Sequence, residues 1–206
     1  MIKAIIFDLW ETIADDDGKY SYIIDNELGL DGKEFLKGFW HLGTARWHID
    51  KKGTPIRYFS EICEIYQLDK NKSLPVLKKI WKESLREGSG YVYDWTIPML
   101  RKLKDNYELA LLSNTGIDGA SFIEENKSLK KLFDIIVLSY KVGCAKPDKK
   151  IYSICLNKLG LAPDQCLFID NKKENVIAAK KIGINSILYT DYRHLKKDLI
   201  KLKIKF

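Results

Sequence analysis

Three apolar runs of this chain pass without a break into polar residues. Ile5-Ile6-Phe7 runs into Asp8, Leu109-Ala110-Leu111-Leu112 into Ser113-Asn114, and Cys166-Leu167-Phe168-Ile169 into Asp170-Asn171. Short apolar runs bounded by turn signals suit strands buried on both faces. In an open parallel sheet the carboxyl ends of the strands share one edge, and ligands bind there. Asp8 therefore stands where a carboxylate nucleophile would stand. A single strand-ending Asp often does no more than cap the next helix, so the weight rests on the three tips together.

The remaining elements fit the same sheet. Phe133-Asp134-Ile135-Ile136-Val137-Leu138 and Ser186-Ile187-Leu188-Tyr189 read as further strands, with helices expected over Lys149–Leu159 and Glu174–Ile182. A helix ending near Lys104 precedes the strand that begins at Glu108. Alternating helices and near-continuous apolar strands predict a parallel sheet covered on both faces. Between residues 16 and 90 the pattern changes. Apolar positions recur at spacings of three and four (Phe35, Phe39, Leu42; Tyr58, Phe59, Ile62, Ile65, Tyr66; Leu74, Leu77, Ile80, Trp81, Leu85), punctuated by Gly53-Thr54-Pro55 and Leu68-Asp69-Lys70-Asn71. These are amphipathic helices. The predicted organisation is an α/β core from residues 1–15 and 91–206 with an all-helical insertion over 16–90. The insertion's aromatics, Phe39, Trp40, Trp47, Tyr58, Phe59 and Trp81, read as its own core.

Several classes are disfavoured. The 206 residues, 46% hydrophobic, suffice for a core, yet no apolar run reaches the roughly 18 residues of a membrane helix. The N-terminal strand, broken by Asp8, does not read as a signal peptide, so a cytoplasmic protein is expected. Cys63, Cys144, Cys155 and Cys166 form no C-x-x-C pair, and His41, His48 and His194 are scattered. That argues against a zinc site or a disulfide framework. The net charge is +7. From Asn171 onward ten Lys or Arg face only Glu174, Asp191 and Asp198, which reads as a solvated lysine-rich face, with no nucleic-acid partner expected. Alternation of lysine and apolar residues over Leu199–Phe206 predicts a terminal edge strand.

A fourth polar element completes the constellation. Val142-Gly143-Cys144-Ala145-Lys146-Pro147-Asp148 puts Lys146 just ahead of a helix. Two carboxylates, a hydroxyl–amide pair and a lysine are what phosphoryl transfer to an aspartate requires. In order and separation, the four segments resemble the four motifs of the haloacid dehalogenase-like (HAD) hydrolase superfamily. The long stretch VGCAKPDKKIYSICLNKLGLAPDQCLFIDNKKENVIAAKKIG is similar to the helical-cap branch that holds sugar phosphatases and the N-terminal domains of soluble epoxide hydrolases. The resemblance implies a Rossmann-like core with a helical cap. It makes Asp8 the nucleophile, Ser113 with Asn114 the phosphate-binding pair, and Lys146 the charge-balancing lysine. It makes Asp170 the acidic holder of Mg²⁺, a cation that takes oxygen ligands and keeps waters, with Asp8 and the Trp10 backbone carbonyl as its other protein ligands. Trp10, Thr12 and, in the cap, Arg46 are expected on the substrate side. The expected partner is a small molecule, and the protein a monomer or homodimer.

The chain also departs from that pattern. Phosphatases of the superfamily read Asp-x-Asp-Gly-Thr in the first motif, where this chain has Asp8-Leu9-Trp10-Glu11-Thr12. The second aspartate, the general acid and base, is Trp10, and an indole N–H does not exchange a proton at neutral pH. Glu11 is a possible substitute. Asn171 stands where many relatives have another aspartate. Glu174 is either an outer carboxylate for the metal or a first-turn glutamate favoured by the helix dipole. An aromatic at position 10 also suits the haloacid dehalogenases, which carry tyrosine there, with Arg46 as the substrate's carboxylate partner. Three expectations stand: a Mg²⁺-dependent phosphatase, a 2-haloacid dehalogenase, or a HAD-fold binding protein with impaired catalysis.

Overall fold

The computed structural model describes residues 1–15, 18, 20–45, 58–87 and 90–206. Five parallel strands form one sheet: β1 (Ala4–Phe7), β4 (Glu108–Ser113), β5 (Ile135–Leu138), β6 (Cys166–Asp170) and β7 (Asn185–Leu188), in the order β5-β4-β1-β6-β7. The chain leaves β1 for β4 on one side and returns to β6 on the other, so the switch point of the topology lies at the tip of β1. The register pairs Phe7 with Leu111 and with Ile169. It brings Asp8 level with Asp170, a match that the Asp8 N–H donating to Ile169 O at 2.9 Å continues past the strand end.

Successive side chains of a strand face opposite ways, and each face has its own core. Ile5, Phe7, Leu109, Leu111, Leu167 and Ile169 pack under α5 (Thr96–Lys104), α6 (Ile117–Glu125) and α11 (Tyr192–Lys201). Ala4, Ile6, Ala110, Leu112, Cys166 and Phe168 pack under α9 (Lys149–Leu159) and α10 (Lys173–Lys181). Asp148 caps α9 by accepting the Lys150 N–H at 2.9 Å, and Gly160 ends it in the left-handed region at φ 65°. Burying the sheet on both faces is what its apolar strands predict.

The helices of the insertion are α1 (Ser21–Leu28), α2 (Gly32–Ala45), α3 (Phe59–Ile65) and α4 (Lys70–Glu87). They bury a third cluster that includes Ile24, Phe35, Phe39, Phe59, Leu77 and Trp81. Of the aromatics expected in this core, Tyr58 is half-buried beside it, and Trp47 lies outside the described residues. A short antiparallel ladder joins the two ends of the insertion, β2 (Ala14–Asp15) with β3 (Tyr91–Val92). Two-residue strands carry too little alternation to be read from sequence. Among the described residues no helix is long and apolar enough to cross a membrane.

One expectation is overturned. The chain beyond Asp191 forms α11, not an edge strand over Leu199–Phe206. Asp191 caps that helix by accepting the His194 N–H at 2.9 Å. Leu195 and Leu199, one turn apart, are buried, while Ile200 and Leu202 are exposed. The helical cap and the i, i+4 pair outweigh the short alternation of lysine and apolar residues.

Candidate active site

The sheet's carboxyl edge brings Asp8, Lys146 and Asp170 into one buried chain. Lys146 Nζ donates to Asp8 Oδ1 at 2.6 Å and to Asp170 Oδ2 at 2.7 Å, and all three residues are buried. Lys146 precedes α9, and its ammonium also lies 5.4 Å from the centre of the Phe168 ring, a further contact for a desolvated cation. Burial pulls the lysine pKa down, but the two carboxylates outweigh it and the net shift is upward, so the ammonium keeps its charge. Burial acts oppositely on Asp8. Removal from water raises its pKa, Lys146 opposes the rise, Asp170 adds to it, and the carboxyl is pushed up to about 6.

Each of the three is held from behind. Thr12 is fully buried and donates from Oγ1 to Asp8 Oδ2 at 3.3 Å. That contact orients the carboxylate. Asn114 holds the lysine's backbone. Its Nδ2 donates to Lys146 O and its Oδ1 accepts from Lys146 N, both at 2.8 Å, so its amide is committed to the lysine's peptide. Asp170 accepts from the Lys172 N–H at 2.7 Å and from Asn175 Nδ2 at 3.1 and 3.0 Å on its two oxygens. The carbonyl of Asn175 in turn accepts from Tyr152 Oη at 2.9 Å, and the Tyr152 ring stands edge-on to Phe168 at 5.5 Å. Asn175 and Tyr152 were not legible as site residues. Asn175 lies about one turn past the tip of β6 and Tyr152 near the start of α9, positions that any packing residue shares.

At this edge, among the described residues, two buried oxygens face no partner: Ser113 Oγ, at the tip of β4, and Asn171 Oδ1, next to Asp170. Orphaned buried polar atoms demand a ligand or water. A hydroxyl at Ser113 fits an anion, and the amide oxygen of the residue after Asp170 fits a hard cation. Among the described residues no three His, Cys, Asp or Glu side chains converge.

Trp10 is half-buried, its ring 4.9 Å from that of Phe122 in α6 and its Nε1 3.5 Å from Thr115 Oγ1. Two glycines shape the slot. A Cβ at Gly90 would meet the indole at 2.9 Å, and one at Gly119 would meet Nε1 at 3.3 Å. These contacts fix the placement of the indole. Glu11 is exposed in the left-handed region at φ 56°, and its Oε2 accepts from Asn171 Nδ2 at 2.6 Å. Glu174 is exposed in the first turn of α10, where the helix dipole suffices to explain it. Arg46 lies outside the described residues.

The chain is similar to several known proteins. The chain is 26% identical to mouse acyl-CoA dehydrogenase family member 10 over 84% of its own length, spanning 14% of that protein. It is 32% identical to flavin mononucleotide hydrolase 1 of Arabidopsis thaliana over 60% of its length, spanning half of that protein. With the phosphorylated carbohydrates phosphatase of Thermotoga maritima it shares 25% identity over 90% of its length and 84% of the relative. Among solved structures, a HAD family enzyme of Bacteroides thetaiotaomicron in complex with magnesium and inorganic phosphate superposes with a TM-score of 0.68. That match is at 21% identity, over 95% of this chain and 99% of the other. An L-2-haloacid dehalogenase of Xanthobacter autotrophicus gives 0.70 at 18% identity, over 100% and 85%. Both structures share this fold. The family model of haloacid dehalogenase-like hydrolases matches residues 2–183, and the chain belongs to that family.

Proposed function

We propose that the protein is a Mg²⁺-dependent phosphatase of small phosphorylated metabolites that works through a phosphorylated Asp8. The observation that carries this reading is the buried Asp8–Lys146–Asp170 chain beside the unpartnered hydroxyl of Ser113. In the reaction, a carboxylate oxygen of Asp8 attacks phosphorus and the bond to the ester oxygen breaks. The leaving oxygen takes a proton from solvent water, since Trp10 offers none, and departs as the alcohol. Water then attacks the phosphorus of the aspartyl phosphate, breaking its bond to Asp8 and releasing inorganic phosphate. Lys146 offsets the charge of nucleophile and phosphate, and Ser113 donates to a phosphate oxygen. Asp8, Asp170 and the Trp10 carbonyl would hold the metal, which supplies positive charge between nucleophile and phosphate.

Residues 1–15 and 91–206 are the catalytic core in this reading, and 16–90 the cap that excludes water and selects the substrate. The Thermotoga and Arabidopsis relatives support phosphorylated carbohydrates and nucleotides as first candidates. A buried Asp170 held by Asn175 supports metal chemistry over metal-free halide displacement. The test is hydrolysis of p-nitrophenyl phosphate and acetyl phosphate with Mg²⁺ or with chelator, beside Asp8→Asn. Turnover that needs both Mg²⁺ and Asp8 is expected. Halide release from 2-chloropropionate in chelator, or no turnover of any phosphate ester, overturns the reading.

A further inference from the structure

Glu11 and Asn171 lie 160 residues apart and meet at the mouth of the site, Asn171 Nδ2 donating to Glu11 Oε2 at 2.6 Å. A carboxylate oxygen accepts, so it selects the nitrogen of the amide and turns the oxygen the other way. That oxygen, Asn171 Oδ1, is buried and has no partner. It belongs to the residue after Asp170, on the edge where Asp8 and Lys146 also meet. Glu11 reaches this position through a backbone conformation that few non-glycine residues adopt, with φ at 56°. The turn that holds it is tightly wound. Glu11 N donates to Ala14 O at 2.7 Å, and Ile13 N and Ala14 N both donate to Leu9 O, at 2.9 and 3.0 Å. Strain of this kind collects where a site needs a side chain re-aimed.

We propose that Glu11 is a positioning residue for the cation site: it fixes the Asn171 amide so that Oδ1 faces the bound Mg²⁺. The inference rests on the metal-dependent reading above and assigns a role to a residue pair specific to this chain. Without Glu11 the cation itself must order and turn the amide, because an oxygen-seeking ion does not accept its NH₂. Partners that orient a ligand are worth about 10- to 100-fold in metal affinity.

The experiment titrates MgCl₂ alone into the metal-free 206-residue chain by calorimetry, so it needs no substrate. Glu11→Ala is expected to weaken Mg²⁺ binding about tenfold while the metal-free melting temperature stays put. Glu11→Gln keeps an accepting oxygen and is expected to retain most of the affinity. In an Asn171→Ala background, Glu11→Ala is expected to add no further loss, as coupled residues behave. Wild-type affinity in Glu11→Ala overturns the proposal. So does an equal loss in Glu11→Gln and Glu11→Ala, or a full additional loss without Asn171, because either means that Glu11 acts by charge at a distance. A wild-type protein that takes up no Mg²⁺ overturns the metal-dependent reading and this inference together, whereas normal wild-type uptake with an unaffected Glu11→Ala overturns this inference alone.

Discussion

Asn114 grips the peptide of Lys146 at both of its polar atoms, donating to the carbonyl and accepting from the N–H at 2.8 Å each. The contact ties the tip of β4 to the lysine that bridges Asp8 and Asp170. Removing it frees the Lys146 backbone without touching the ammonium. Asn114→Ala is expected to cost about 1–3 kcal/mol of stability and to lower kcat roughly 10- to 100-fold through misplacement of the lysine. Chemical denaturation and steady-state kinetics check both. Lys146→Met is expected to cost more stability, about 3–5 kcal/mol, because two buried carboxylates lose their counter-charge.

Tyr152 supports Asp170 through Asn175, and burial drives its hydroxyl pKa upward, so the hydroxyl stays a donor. Tyr152→Phe keeps the ring against Phe168 and removes only that bond. About 1 kcal/mol of stability is expected to be lost, and the Mg²⁺ concentration for half-maximal activity to rise less than tenfold. Asn175→Ala, which frees Asp170 directly, is expected to raise it about 10- to 100-fold. Equal effects from the two variants would contradict the chain of support.

The slot for Trp10 makes a packing prediction. Gly119 sits inside α6, where alanine would ordinarily help by about 1 kcal/mol. Here its Cβ would lie 1.8 Å from Thr115 Oγ1 and 3.3 Å from the indole nitrogen. Gly119→Ala is expected to destabilise the protein by about 1–3 kcal/mol, as overpacked cores do. The cost should shrink in a Thr115→Ala background, where the clashing oxygen is absent. Melting temperatures of the four proteins decide it.

Asp134 predicts a pH dependence of stability. Partial burial pushes its pKa up, but the Lys104 ammonium at 2.7 Å and the Leu109 N–H at 3.0 Å outweigh it and the net shift is downward. A carboxyl lowered in the folded state contributes stability above its unfolded value, near 3.9, and loses it as pH falls through the folded value. The pair is partly exposed, so the effect is on the order of 1 kcal/mol or less. Asp134→Asn is expected to lower the melting temperature equally at pH 7 and pH 5, with the difference from wild type fading below about pH 4.

The polar tips of β1, β4 and β6 and the lysine before α9 were legible because a parallel sheet puts every carboxyl end on one edge, whatever the separation in sequence. The helical insertion was legible from its period. What failed to show depends on side-chain direction. Thr12 and Asn114 sit in motif positions, yet one turns behind Asp8 and the other to the Lys146 peptide. Asn175 and Tyr152 support Asp170 from positions that spacing does not distinguish from core. The last helix was misread because a cap at Asp191 and one buried Leu195–Leu199 pair decide it, against a local alternation of lysines.

The sequence by itself determined the sheet, the edge on which chemistry is collected and the residue types gathered there, since apolar period and strand-end polarity are local properties. Only the tertiary structure decided which of those residues touch: Lys146 between two carboxylates, Trp10 in a slot between glycines, Glu11 against Asn171. Those contacts join segments as far as 160 residues apart, and their geometry follows from strand register and rotamers that neighbouring elements impose.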